Sequence, residues 1–219
     1  MLSVELPSPH EGKNSYPFIG LLLTAGLQTK QQSERIEPDL EGKVRSLGAL
    51  HDLVNHHIDH LFIVGGQKLQ GKPLAEYYAD YLKRFENRYP AVTSRIETLP
   101  GGIETGSDLH KAVKTLAGRN LDHNLRVYTT SFHGPRAVKI LNDLGYDSSY
   151  VGTEHITRTR SPHHLREIDR AVTDEFLKRM TEREKTIMAL LKLDGIPVIG
   201  KRILPGMKLV EILARVQRT

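Results

Sequence analysis

The sequence has no cysteine and no tryptophan among its 219 residues. Without cysteine there are no disulfides, no thiolate metal ligands and no thiol nucleophile, and the redox compartment stays open. Long apolar runs are also missing. The longest, "FIGLLLTAGL" from Phe18 to Leu27, is strand-sized and ends in a glycine turn, well short of the ~18 residues of a membrane helix. The opening stretch, "MLSVELPSPHEGKNSYP", has no basic start followed by an apolar segment. No secretory signal is therefore expected, and the cytoplasm is the default compartment. There is no phosphate-loop motif and no G-x-S-x-G elbow, and "GGIETG" (Gly101 to Gly106) does not meet the G-x-G-x-x-G order of a dinucleotide fingerprint.

What is present describes an ordinary globular chain, with 38% hydrophobic and 26% charged residues. The formal net charge of +5 invites a nucleic-acid reading. Basic residues are nevertheless spread among acids, densest in "HITRTRSPHHLRE" (His155 to Glu167), and no RNA-binding aromatic motif or zinc finger accompanies them. Small anionic molecules are the favoured partners, and nucleic acid is disfavoured.

Strand and helix periods alternate along the chain. Strands are expected at Phe18–Leu23, His60–Gly66, "SRIETL", "NLRVYTT" and Asp147–Thr153. Helices are expected over Leu40–His56, Pro73–Asn87, Asp108–Ala117 and from Pro135 to the stop at Gly145, with Pro73 at a first helical position. "TAGLQTK" and "QKLQGK" read as turns. This order predicts an α/β doubly wound, mostly parallel sheet with right-handed crossovers over residues 1–153. Residues 154–219 read as a helix-rich extension on that core. Its long helix spans His164–Leu193, with an apolar stripe at Ile168, Val172, Phe176, Met180 and Ile187, and a short strand "IPVIGKRI" and a closing helix follow. Such a stripe packs on its own domain, or forms a homodimer interface or a lid.

In doubly wound sheets, ligands lie beyond the carboxyl ends of the strands. Every strand here ends in a small or polar turn, "TAG", "VGG", "PGGIETGS" or "TTSFHG". Glycine lets a ligand approach the backbone, and helix N-termini favour anions. In "TTSFHGPRA", Arg136 falls in the first turn of a helix, where its charge opposes the helix dipole. A bound phosphate or carboxylate at that point relieves the conflict; a solvent-facing Arg136 is the alternative. His133 is a candidate general acid or base, or else a helix cap. Glu76, Glu104 and Asp108 sit at turns or helix starts facing the same crevice, with Asp108 reading as an ordinary N-terminal helix acid. His56 and His60 have i, i+4 spacing but lack the glutamate and further ligands of a metal site.

Four blocks, in order, resemble the YdcF/SanA/ElyC-like family, built on one domain of unknown function. They are "LLLTAG", "FIVGGQKLQGKPLAEYYADYL", "IETLPGGIETGSDLHKAV" and "RVYTTSFHGPRAVKILNDLGY". The resemblance covers about Pro17 to Gly152. It implies a Rossmann-like fold and a pocket for a nucleotide-like or phosphorylated ligand, with S-adenosylmethionine as a cofactor candidate. Transfer or hydrolysis on that ligand, and non-catalytic binding, both stay open. Carried onto this chain, the site comprises Gly26, Arg45, Gly65, Gly66, Glu76, Thr105, Thr130, Ser131 and Arg136 for binding and His133 for catalysis.

Overall fold

A computed structural model describes residues 18–30, 35–102 and 104–160, together with 178, 180–182 and 184–186. In chain order, β1 (Ile19–Leu23) is followed by a hairpin of β2 (Leu27–Lys30) and β3 (Arg35–Pro38), then by α1 (Leu40–Val54). β4 (His60–Val64) leads through a small ladder, β5 (Lys68–Leu69) with β6 (Lys72–Pro73), into α2 (Leu74–Lys83) and the short α3 (Pro90–Thr93). β7 (Ile96–Leu99) precedes α4 (Thr105–Ala117), β8 (Leu125–Thr129) precedes α5 (Gly134–Asp143), and β9 (Ser148–Gly152) runs into α6 (Thr153–Arg160).

The five long-range strands form one sheet in the order β7-β4-β1-β8-β9, and every neighbouring pair is parallel. Alternation along each strand serves two cores. Ile19, Leu21 and Leu23 of β1 pack with Leu109 and Val113 of α4 and with Ala137 and Leu141 of α5. Leu22 packs on the other face, with Leu50 and Leu53 of α1 and Tyr78 and Leu82 of α2. A strand buried on both faces must be apolar at every position, as "IGLLL" is. This is a Rossmann-like α/β fold. The chain moves outward from β1 to β4 to β7, then returns to β8 and β9 on the opposite side, so β1 and β8 flank the topological switch point.

Several boundaries differ from the sequence expectation for identifiable reasons. "LQTK" forms β2, paired antiparallel with β3, where the sequence reads as a turn. "QKLQGK" likewise holds the β5–β6 ladder. Pro73 sits in that ladder and is the extended N-cap of α2, so the helix starts one residue later and closes at Lys83. α4 begins at Thr105, three residues before Asp108, because Glu104 caps it. α1 stops at Val54, where His56 takes a left-handed φ of 58° and His60 opens β4. The two histidines therefore do not share a helical face.

Among the C-terminal expectations, 180–182 and 184–186 are helical, and Met180 is half-buried. Ile168, Val172, Phe176, Ile187, the strand "IPVIGKRI" and the closing helix lie outside the described residues, as does the opening stretch. The "HITRTR" segment belongs to α6, which packs on α1 through a Thr157 hydroxyl donating to the Val44 carbonyl at 3.2 Å. No helix among the described residues is long and apolar enough to cross a membrane.

Leu22 is 0% exposed on the central strand, whereas Leu69 on β5 is 40% exposed. Truncating Leu22 to Ala is expected to cost about 2–5 kcal/mol, and the same change at Leu69 within about 0.5 kcal/mol. Urea unfolding of both variants checks this contrast.

Candidate functional site

The switch point between β1 and β8 is closed by a side chain. Arg45 projects from α1 with only 5% exposure. Its Nη1 donates to the Leu23 and Thr24 carbonyls at 3.1 and 3.3 Å. Its Nη2 donates to Glu41 Oε1 at 2.5 Å and to Thr130 Oγ1 at 3.2 Å. The Thr130 hydroxyl in turn donates to Glu41 at 3.1 Å. Arg45 and Thr130, both expected to bind ligand, thus join the end of β1 to the end of β8.

The glycine turns are also occupied by the protein itself. A Cβ at Gly66 would collide with the Gly101 backbone, so these two glycines allow the β4 and β7 turns to touch each other. Asp108 joins them: its Oδ1 accepts from Gly66 N at 3.0 Å and Gly102 N at 2.6 Å. Asp108 is therefore a bridge between strands rather than an ordinary first-turn acid. Burial pushes its carboxyl up to about 6, even though the two amides pull the other way. The same pattern recurs nearby. Asp39 caps α1 through Gly42 N, Glu104 caps α4 through Gly106 N and Ser107 N, and Glu154 accepts from Ser131 N. A carboxylate is the favoured group at such amides, and here the chain supplies it.

At α5 the arrangement is different. The amides of His133 and Gly134 both donate to the Thr130 carbonyl, Pro135 has none, and no side chain caps the helix. His133, Gly134 and Pro135 therefore leave no amide for an anion, and the positive charge at this corner is the Arg136 side chain. Arg136 Nη2 donates to His133 Nδ1 at 2.8 Å, and Arg136 Nε lies 3.0 Å from Glu184 Oε2. A guanidinium only donates, and its 2.8 Å contact is much shorter than the 3.4 Å one from Glu184 Oε1 to the same Nδ1, which assigns the Nδ1 lone pair to Arg136 and the imidazole proton to Nε2. That proton faces Thr105 Oγ1 at 3.3 Å. Burial, then the Arg136 charge, hold His133 down near 4, so the ring is neutral at pH 7. In this tautomer Nε2 is a donor rather than a base.

The predicted site residues divide accordingly. Thr105, His133 and Arg136 come together, and Thr130 joins Arg45. Gly26 receives Tyr78 Oη and Asp39 N on its carbonyl. Gly65 lies against the Thr24 side chain. Ser131 is exposed apart from its amide, and Glu76 is exposed on the first turn of α2. Glu41, Glu154 and Glu184 were not expected at the site, and Asp108 and Glu104 were expected without their partners. A separate cleft of about 310 Å³ is lined by residues including Arg35, Lys72, Tyr77 and Arg84. Its Lys72 and Arg84 pair with Asp80 and Glu37. No cluster able to hold a metal occurs among the described residues. The chain matches no protein-family model, no curated protein and no solved structure.

Because the folded Asp108 takes its proton near pH 6 against an ordinary value of 3.8, it binds more protons folded than unfolded between those limits. Its contribution to stability therefore falls as pH rises through that window. Asp108→Asn keeps an oxygen acceptor for both amides and does not ionise. Its stability relative to the parent is expected to rise between pH 4 and 7, by on the order of 1–2 kcal/mol. Urea unfolding across that range measures the difference. A flat difference would mean that Asp108 ionises at its ordinary value.

Proposed function

We propose that this chain binds a nucleotide-like or phosphorylated small molecule at the carboxyl ends of its strands. The observation that carries the reading is the group formed by Arg136, His133 and Thr105. A cation, a neutral imidazole and a hydroxyl converge from two different helices beside the switch point, where open α/β sheets take their ligands. Arg136 supplies the charge for a phosphate or carboxylate. The Thr105 hydroxyl and His133 Nε2, which meet at the same corner, suit the hydroxyls of a ribose or another polyol. S-adenosylmethionine fits this division, since it carries a carboxylate, a ribose and a cationic sulfur. The family resemblance points the same way.

Transfer or hydrolysis on the bound molecule requires a group that releases or takes a proton. His133 in its Nε2–H form offers a hydrogen-bond donor, and Asp108 exchanges a proton near neutral pH. A non-catalytic binding module is the second reading. It is favoured by the 7% exposure of His133 and by the engagement of its Nδ1 with Arg136. Turnover of a bound candidate, lost in His133→Ala with binding retained, separates the two.

Charge-assisted hydrogen bonds contribute about 1.5–3 kcal/mol. Arg136→Ala is therefore expected to weaken an anionic ligand roughly tenfold or more. Calorimetric titration of nucleotides and S-adenosyl compounds into the parent and the variant, at matched salt, tests this. Equal affinities for a ligand that binds would sink the anion-site reading.

A further inference from the structure

The group that already occupies the cationic corner is a carboxylate from the far end of the chain. Glu184 lies 51 residues beyond His133 and is 7% exposed. Its Oε2 approaches Arg136 Nε at 3.0 Å, and its Oε1 lies 3.4 Å from His133 Nδ1. The charge conflict of an arginine at a helix start is thus relieved from within. We infer that Glu184 is an internal competitor: its carboxylate sits where the anionic group of a ligand binds, so binding must displace the helical segment that carries it.

This inference rests on the anion-site reading above and adds a regulatory element to it. Three features support it. The geometry of the contact is that of a ligand, a carboxylate on a half-buried guanidinium at a helix N-terminus that no side chain caps among the described residues. The second contact of that carboxylate is poor. Glu184 Oε1 lies 3.4 Å from His133 Nδ1, the nitrogen that Arg136 Nη2 reaches at 2.8 Å, so the carboxylate has the longer of two competing contacts there. Finally, within 180–182 and 184–186, Glu182, Lys185 and Thr186 are polar and exposed, and Lys185 pairs with Glu182 at 2.7 Å. An incoming phosphate brings more oxygens and more charge than one carboxylate, and satisfies Arg136 in its place.

The test uses the full chain, with inorganic phosphate as probe at constant ionic strength. Glu184→Gln keeps the shape and an acceptor oxygen while removing the charge. Calorimetry is expected to give this variant at least tenfold higher phosphate affinity than the parent, and Arg136→Ala in the Glu184→Gln background should abolish the gain. Equal affinity in parent and Glu184→Gln would overturn the competition while leaving the anion site standing. Weaker binding would overturn it too, making Glu184 part of the ligand's wall. No binding by either protein would remove the anion-site reading itself, and the inference with it. Hydrogen exchange on the parent supplies a readout independent of the variant. Saturating phosphate should speed exchange across 180–186 while slowing it at the start of α5, and protection of both segments would refute displacement.

Discussion

The buried guanidinium of Arg45 is the contact on which the carboxyl edge of this sheet depends. In a doubly wound fold, the strands on either side of the switch point send their chains to opposite faces, which leaves a gap at the edge. Arg45 reaches from α1 across that gap and binds two carbonyls at the end of β1, a hydroxyl after β8 and the carboxylate of Glu41. A planar cation with five donors suits this task, and lysine could not reproduce it. Removing one partner from a buried pair costs about 3–5 kcal/mol, because the remaining charge stays in a poor solvent. The position of Thr130, and with it the entry into α5, follows from this clamp.

Around that clamp the molecule answers its own electrostatics with carboxylates. Asp39, Glu104, Asp108 and Glu154 each take backbone amides at a turn or helix start. The edge is thereby acid-rich rather than an open row of amide donors. The cation at the α5 corner of that edge is the Arg136 guanidinium, which meets His133 and Glu184.

The sheet was legible because strands buried on both faces must be apolar at each position, and "IGLLL" and "HLFIV" satisfy that without help from context. The β2–β3 and β5–β6 ladders were not legible. Gln28, Lys68 and Lys72 are polar positions that carry no apolar alternation, so these ladders show only once their strands are paired. At the site, the residue types in "TTSFHGPRA" pointed to the corner where Thr105, His133 and Arg136 meet. Their partners were hidden by distance along the chain. Asp108 lies 42 residues from Gly66, Glu154 lies 23 from Ser131, and Glu184 lies 51 from His133. An acid looks the same in sequence whether it faces water or caps a remote turn. The glycines misled for a related reason: close approach was required, but by a neighbouring turn of the same protein.

The strand order also bears on how the chain is made. β1 sits at the centre of the sheet and is synthesised first, gaining β4 on one side when residue 64 emerges. Its other edge has no partner until β8, roughly 60 residues later, an interval of about 3–12 s at ordinary elongation rates. During that interval an almost wholly apolar strand presents an open row of backbone donors and acceptors on the ribosome. The nascent half-sheet is thus the stage most exposed to wrong pairing, and the one at which a chaperone has something to hold.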